Sequence, residues 1–306
     1  MSALKGPALG AVLISGAMLV FTIMSGFIKA ADVPAGQAVF FRSAFAIPVI
    51  FVWLWRIGHL HDGLRTVRWQ SHALRGLVGT AAMGLGFAGL LYLPLPEVTA
   101  IRFATPIILV ILAALMLGER FRFFRMGAVL LGLAGVMIII WPRLGGGIGD
   151  AAFLGAMLTL GSAVLAALAQ VFVKGMAGRE STSAIVFYFS LTAAILGLCT
   201  LPFGWVWPSP AQLSYLIGAG LIGGVGQILL TSSYRFAEAG ALAPFTYSSM
   251  VWSILLGWLW FAEIPTAQML LGSLIVIAAG AIIVWRERQL GKDETARRKL
   301  RAKGLQ

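Results

Sequence analysis

Charge is scarce in this chain, and acid scarcer still. Only 11% of its 306 residues are charged, and 11 Asp and Glu stand against 23 Lys and Arg. So little charge over such a length excludes an ordinary soluble domain, where about a quarter of residues are charged. A single cysteine, Cys199, excludes a disulfide framework and leaves the redox compartment unmarked. The three histidines, His59, His61 and His72, form with Asp62 the one local His/Asp cluster, and no nucleophile or metal set accompanies it. No metal and no cofactor is therefore expected. No Gly-x-x-x-x-Gly-Lys-Ser/Thr phosphate loop occurs, so ATP does not drive this chain by itself, and no ATPase subunit is evident.

What fills the sequence instead is hydrocarbon: 59% of residues are hydrophobic and the mean hydropathy is +0.93. A helix needs about 20 apolar residues to cross a bilayer. Ten such runs are predicted, at Ala8–Lys29, Gln37–Trp55, Leu74–Leu93, Glu97–Leu117, Phe124–Trp141, Ala151–Lys174, Ala184–Phe203, Leu213–Tyr234, Gly240–Phe261 and Gln268–Trp285. The expected fold class is an all-α polytopic membrane protein with ten transmembrane helices, and the lipid bilayer is its first partner. The opening run is too long for the apolar core of a signal peptide and lacks a small-x-small cleavage site, so it is taken as a mature span.

Basic residues mark the orientation, because short cytoplasmic loops carry the excess of Lys and Arg. With the N-terminus inside, the cytoplasmic set is Lys5, Arg56, Arg65, Arg68, Arg75, Arg120, Arg122, Arg125, Lys174, Arg179, Arg235 and eight residues between Arg286 and Lys303. These are 19 of the 23 basic residues. The formal charge of +12 is on this reading a topology signal, and nucleic acid is not an expected partner. Both termini, including a basic tail over 286–306, are expected in the cytoplasm.

The hydrophobic pattern also repeats. At an offset of 144, Gly76-Leu77-Val78-Gly79 falls on Gly220-Leu221-Ile222-Gly223, Glu119 on Glu263 and Trp141 on Trp285. At 145, Gly10, Gly16, Phe27 and Lys29 fall on Gly155, Gly161, Phe172 and Lys174. Two copies, 8–141 and 151–285, then hold five spans each. An odd number of spans makes the second copy enter the membrane from the opposite face, so the repeats are inverted. Inverted repeats imply alternating access around a site near the midplane. Duplication kept for stability alone is the competing reading.

Several segments carry a family likeness. The run from Tyr92 to Pro106 (YLPLPEVTAIRFATP), the following LGER at Leu117 to Arg120 and a glycine-spaced fifth helix resemble the EamA domain of the drug/metabolite transporter superfamily. The second copy carries counterparts, YRFAEAGALAPFTY at Tyr234 to Tyr247 and FAEIP at Phe261 to Pro265. The resemblance covers nearly the whole chain and is closest in overall pattern to bacterial amino acid exporters. It implies two five-helix EamA repeats around a central cavity, cytoplasmic termini, and transport of a small-molecule substrate across the bacterial inner membrane.

Candidate cavity residues are the polar side chains at membrane depth. Arg42 and Arg102 each lie roughly 8 Å inside a span, counted from Gln37 and Glu97 by helix rise, where a guanidinium can hold a carboxylate in a bidentate pair. Snorkelling, or pairing with Asp32 or Glu97, is the alternative. On the ninth helix Pro244, Tyr247, Ser248 and Trp252 share one face by 100° steps. Gln227, Thr231 and Tyr234 form a stripe on the eighth, and Gln170 is an isolated amide in the sixth. Cavity lining and hydrogen bonding between helices remain open for these residues. Gly127, Ala128, Gly132 and Gly135 of the fifth helix, with Gly272 and Gly280 of the tenth, point to close helix packing or a subunit interface in a monomer or weak homo-oligomer. Glu119 and Glu263, at helix ends on opposite faces, are read as caps or links to basic neighbours.

No Asp or Glu falls in mid-span, so a carboxylate proton carrier is not evident and facilitated export fits more easily. The sequence reading is a secondary transporter, not an enzyme, exporting small metabolites, with neutral or aromatic amino acids foremost. Import of a vitamin or nucleotide-like solute such as riboflavin is the alternative. A membrane-embedded enzyme built on His59, His61, Asp62 and His72, and a channel, are more distant.

Overall fold

The computed structural model describes residues 7–60, 63–117, 123–144, 150–176, 180–233, 236, 242 and 245–282. These fold into helices with no strand among the described residues: α1 (Pro7–Ala31), α2 (Ala35–Ala44), α3 (Ala46–Arg56), α4 (Trp69–Tyr92), α5 (Leu95–Arg102), α6 (Ala104–Leu117), α7 (Phe123–Leu144), α8 (Ala151–Met176), α9 (Thr182–Leu198), α10 (Pro210–Ser233), α11 (Ser248–Phe261) and α12 (Ala267–Ile282). Five helical stretches are long and apolar enough to cross a membrane: Ala8–Ala31, Ala35–Arg56 (α2 with α3), Trp69–Tyr92, Ala151–Val173 and Pro210–Leu230. Exposed tryptophans flank them, with Trp55 and Trp69 where α3 hands over to α4 and Trp207 ahead of α10. Such aromatic rings suit the level of lipid headgroups.

Prolines explain two of the interruptions. Pro48 has no N–H for the carbonyl of Ala44, and Pro106 none for that of Arg102. The missing i to i−4 bond loosens the helix at that turn, and the breaks fall at Phe45 and Phe103. Pro94 caps α5 and Pro96 sits in its first turn, where no donor is needed.

The broadest helix contacts are α1 on α10 and α4 on α8, followed by α2 on α9. α5 lies among α1, α4, α7, α8 and α11. Its residues Leu95, Val98 and Ile101 join Ile28, Leu93, Phe103 and Tyr247 in the main buried core. A smaller cluster of Ile50, Leu54 and Val186 closes the end where α3 meets α9.

Two features depart from the sequence expectation. α4 starts at Trp69, five residues before the predicted Leu74, which brings Arg75 out of the loop and into the helix. α9 stops at Leu198, so Cys199 caps the helix end, exposed, and a short 3-10 turn over Leu201–Phe203 replaces the last part of the expected span. The glycines of the fifth and tenth spans serve packing within the chain. A Cβ on Gly135 would lie 2.8 Å from the Gly272 carbonyl oxygen, and one on Gly272 only 2.6 Å from the Ile139 side chain, so α7 and α12 touch backbone to backbone. Gly127, on the same helix, has open space around it.

Candidate functional site

Two guanidinium groups share one aromatic ring. Arg42 of α2 lies with its Cζ 5.7 Å from the centroid of Phe189 on α9, and Arg75 of α4 lies 3.8 Å from the same centroid. Both distances are in the range of cation–π attraction. Arg42 is only 4% exposed. Its Nε, and the Nε and Nη1 of Arg75, are buried without a hydrogen-bond partner, and neither arginine forms an ion pair with a described residue. Glycines make the space: a Cβ on Gly79, one turn after Arg75, would lie 3.0 Å from both Arg75 Nη1 and the Phe189 ring. On α10, a Cβ on Gly223 would stand 3.5 Å from Arg42 Nε.

Arg102 ends α5, just before the break at Phe103. It is exposed while Ile101 and Phe103 on either side are buried. α5 itself lies among five other helices. A Cβ on Gly86 of α4 would come 3.9 Å from the Arg102 Cζ. Gly79 and Gly86 are two turns apart on one face of α4, about 10 Å by helix rise. Arg75, on the same helix, comes near the first glycine, and Arg102 of α5 comes near the second.

The other predicted site residues have varied surroundings. Tyr247 is 8% exposed and packs edge to face on Phe103, with its hydroxyl against Gly280. Trp252 is half-buried and its Nε1 has no partner. Ser248 donates to the Phe245 carbonyl at 2.7 Å, so its hydroxyl bonds within its own turn. Gln227 is half-buried on α10 and Gln170 is exposed on α8. Neither is hydrogen-bonded to another described residue. Thr231 belongs to α10, but its side chain and all of Tyr234 lie outside the described residues, as do Pro244 and Glu119.

At the opposite end of α1 from the N-terminus, Lys29 Nζ pairs with Glu263 Oε1 at 2.8 Å and donates to the Leu93 carbonyl at 2.6 Å. Glu263 Oε2 accepts from the Leu95 N–H at 2.8 Å. The carboxylate therefore caps α5 and complements its dipole. One ion pair thus joins the first helix, the α4–α5 junction and the chain just after α11.

The His/Asp cluster resolves differently. His59 is exposed, and His61 and Asp62 lie outside the described residues. His72 is buried, with Nε2 3.2 Å from Glu180 Oε2 and its ring 4.9 Å from that of Tyr188. Burial pushes the Glu180 carboxyl up, but the contact with His72 and hydrogen bonds from the N–H groups of Val67 and Arg68 and from the Thr66 hydroxyl outweigh it and hold the group below the usual range. The cluster fastens the α3–α4 loop to the start of α9. No group of three potential metal ligands occurs among the described residues.

The profile of the EamA-like transporter family matches twice, over residues 8–141 and 153–285. Among curated proteins, a pseudopaline exporter of Pseudomonas aeruginosa is 27% identical over 279 residues, covering 90% of this chain and 95% of that one. A riboflavin transporter of Rhizobium johnstonii is 30% identical over 255 residues, 83% of this chain and 82% of its own. An S-adenosylmethionine uptake transporter of Rickettsia felis is 26% identical, over 82% and 81%. A solved crystal structure shares the fold at a TM-score of 0.65, with 21% identity over 92% of this chain and 98% of that one. These relatives are transporters, not enzymes, and their named substrates differ. The chain belongs to the EamA-like transporter family of the drug/metabolite transporter superfamily, and with it to the small-molecule transporters of multi-pass membrane architecture.

Proposed function

We propose that this protein is a secondary transporter of the bacterial inner membrane, with both termini in the cytoplasm, that moves small metabolites by alternating access between two inverted five-helix repeats. Its substrates are amino acids, neutral or aromatic, and its direction is export. The pattern of helix contacts carries the reading. When residues 8–141 and 153–285 exchange places, α1 on α10 becomes α8 on α4, and these are the two broadest contacts in the bundle. The contacts of α2 with α9 and α5 with α11 map onto themselves. With α2–α3 and α5–α6 each counted as one span, every repeat has five spans, and an odd number inverts the second repeat against the first.

The ion pair of Lys29 with Glu263 joins the first repeat to the second at one end of the bundle. Their counterparts by the sequence offset are Lys174 and Glu119, which the distribution of basic residues puts on the opposite membrane face. In this reading the two pairs close the two ends in alternation. Arg42, Arg102, Gln170, Gln227, Thr231, Tyr234, Tyr247, Ser248 and Trp252 line the path between them. A second reading, import of a vitamin or nucleotide-like solute, takes its solute from the 30% identity to a riboflavin transporter and its direction from the 26% identity to an S-adenosylmethionine uptake transporter.

Counterflow tests both. Purified protein in liposomes without an ion gradient is loaded with unlabelled solute and offered labelled phenylalanine, tyrosine, leucine, riboflavin or a nucleoside. Amino acid uptake is the expected result. Riboflavin uptake alone moves the assignment to the second reading, and no uptake of any solute, with or without an imposed proton gradient, overturns the transport reading.

A further inference from the structure

Arg42 enters from the end of the bundle that holds the α1–α2 turn, seven residues into its span. Arg75 enters from the other end, six residues into α4. Each Cα is thus roughly 10 Å from its own end by helix rise, and both side chains reach the ring of Phe189, which is itself 7% exposed. The meeting point is the middle of the bundle. Two like charges there repel one another. The ring they share offers only a cation–π contact, which is weaker than a charge partner.

Burying one guanidinium without a counter-ion is costly, and burying two in one place is more so. Ser43, which follows Arg42 in the sequence, and Thr80, which follows Gly79, each have a hydroxyl buried without a partner. Five orphaned polar atoms therefore lie on α2 and α4: Arg42 Nε, Ser43 Oγ, Arg75 Nε, Arg75 Nη1 and Thr80 Oγ1. All the nitrogen atoms are donors, and both hydroxyls can donate. Two guanidinium groups that meet at one ring with no carboxylate of a described residue paired to either call for an acceptor that is negative.

We propose that Arg42 and Arg75, flanking Phe189, bind the anionic group of the transported solute, a carboxylate or a phosphate. The inference rests on the transport reading and deepens it by fixing a substrate class, small organic anions or zwitterions whose acidic group travels through the middle of the bundle. Guanidinium groups suit that task because their planar donors match a carboxylate or phosphate edge in pairs. Phe189 keeps both cations poised when the solute is absent. Arg102 of α5, accessible and beside Gly86, about two turns along α4 from Gly79, supplies positive potential on the approach. A neutral solute finds no partner for these donors and leaves the cations uncompensated.

The test pairs each solute with a counterpart that lacks its acidic group, in counterflow into liposomes containing the full chain. Phenylalanine is compared with phenylalaninol for the carboxylate, and flavin mononucleotide with riboflavin for the phosphate. The expected result is at least tenfold faster uptake of one acid-bearing member than of its counterpart, with the winning pair telling carboxylate from phosphate. Arg42→Gln and Arg75→Gln remove that preference, whereas Arg42→Lys and Arg75→Lys, which keep the charge and lose the fork, retain part of it. Equal uptake of both members of both pairs by the wild type overturns the proposal, as does an undiminished preference in the folded glutamine variants.

Should no solute be transported at all, binding decides separately. Benzoate and inorganic phosphate, each at 10 mM or roughly that level against matched chloride, are expected to raise the melting temperature of the detergent-purified wild type and not of the Arg42→Gln, Arg75→Gln double variant. A wild type that melts at the same temperature in all three salts overturns the anion site, independently of the transport reading. Where a glutamine variant does not fold, the wild-type comparisons stand without it.

Discussion

Phe103 and Tyr247 pack edge to face, with ring centroids 5.0 Å apart and planes at 75°, and each stands where a helix is interrupted. Phe103 separates α5 from α6 at φ −65°, ψ −10°, and Tyr247 precedes α11 at φ −69°, ψ −12°. The two positions are 144 residues apart, the offset at which the sequence repeats. The breaks of the two repeats therefore meet each other in the core, next to Arg102.

The contact can be read by stability. A Cβ at Gly280 would collide with the Tyr247 hydroxyl and lie 2.6 Å from Cζ. Gly280→Ala is expected to destabilise by about 1–3 kcal/mol through overpacking. Tyr247→Phe alone should be nearly neutral, because the hydroxyl has no hydrogen-bond partner among the described residues. The double variant should recover part of the loss in a double-mutant cycle of unfolding in detergent. Strict additivity would remove the contact from the account.

Glu263 has two roles at one carboxylate, an ion pair with Lys29 and a cap on α5. Glu263→Gln retains an oxygen for the Leu95 N–H and loses the charge, whereas Glu263→Ala loses both and leaves Lys29 unpaired. The expected order of melting temperature is wild type, then Gln, then Ala. The alanine variant should fall about 1–3 kcal/mol below the wild type, in keeping with loss of a charged hydrogen bond. Equal melting of the Gln and Ala variants would show that the cap contributes nothing.

The Glu180 cluster predicts a pH dependence with a definite sign. Its carboxyl is held below the unfolded value of 4.5, so the folded state favours the ionised form. The resulting stability is fully present above the ordinary carboxylate range and is lost as pH falls through the lower folded value. The margin of the wild type over Glu180→Gln, measured by thermal unfolding, should be flat from pH 7 to about 5 and shrink below about 4.5. A margin that grew on acidification would contradict the assignment.

For the path itself, Arg102→Ala and Trp252→Ala should each reduce counterflow roughly tenfold, the scale of one charged or aromatic contact, with no loss of folded protein by size-exclusion chromatography. Full activity in both variants would take these residues out of the path.

At the α7–α12 crossing, Gly272→Leu has no room beside Ile139 and the Gly135 backbone. The expected outcome is a lower melting temperature, by the equivalent of about 1–3 kcal/mol, with the mass by light scattering unchanged. A change of oligomeric state at unchanged stability would place this face between subunits.

The apolar runs and the offset were legible because a span needs length and hydropathy and little else. Arg42 and Arg102 stood out for the same reason, as charges inside such runs. Arg75 did not. Its run opens with Arg68-Trp69-Gln70-Ser71-His72, a polar stretch that reads as loop, yet α4 has already begun at Trp69, held there by the Glu180 cluster across the α3–α4 loop. A tertiary contact over more than a hundred residues therefore moved the helix start, and no local pattern carries it. Phe189 was silent in sequence for a plainer reason: one phenylalanine among 19 has nothing to mark it as a partner of two arginines. Of the Lys29 and Glu263 pair, the helix-end positions were readable, and the capping of α5 was not.

The reach of α1 to α10 sets a timetable for biosynthesis. The first helix leaves the ribosome about 200 residues before its main partner is complete, which at 5–20 residues per second is a wait of roughly 10–40 s. Through that interval α1 has lipid or the insertion machinery for company, whereas α4 waits less than half as long for α8. A nascent chain arrested before Pro210 would hold its second half's first helix in place and its own first helix without a seat, a natural target for membrane quality control.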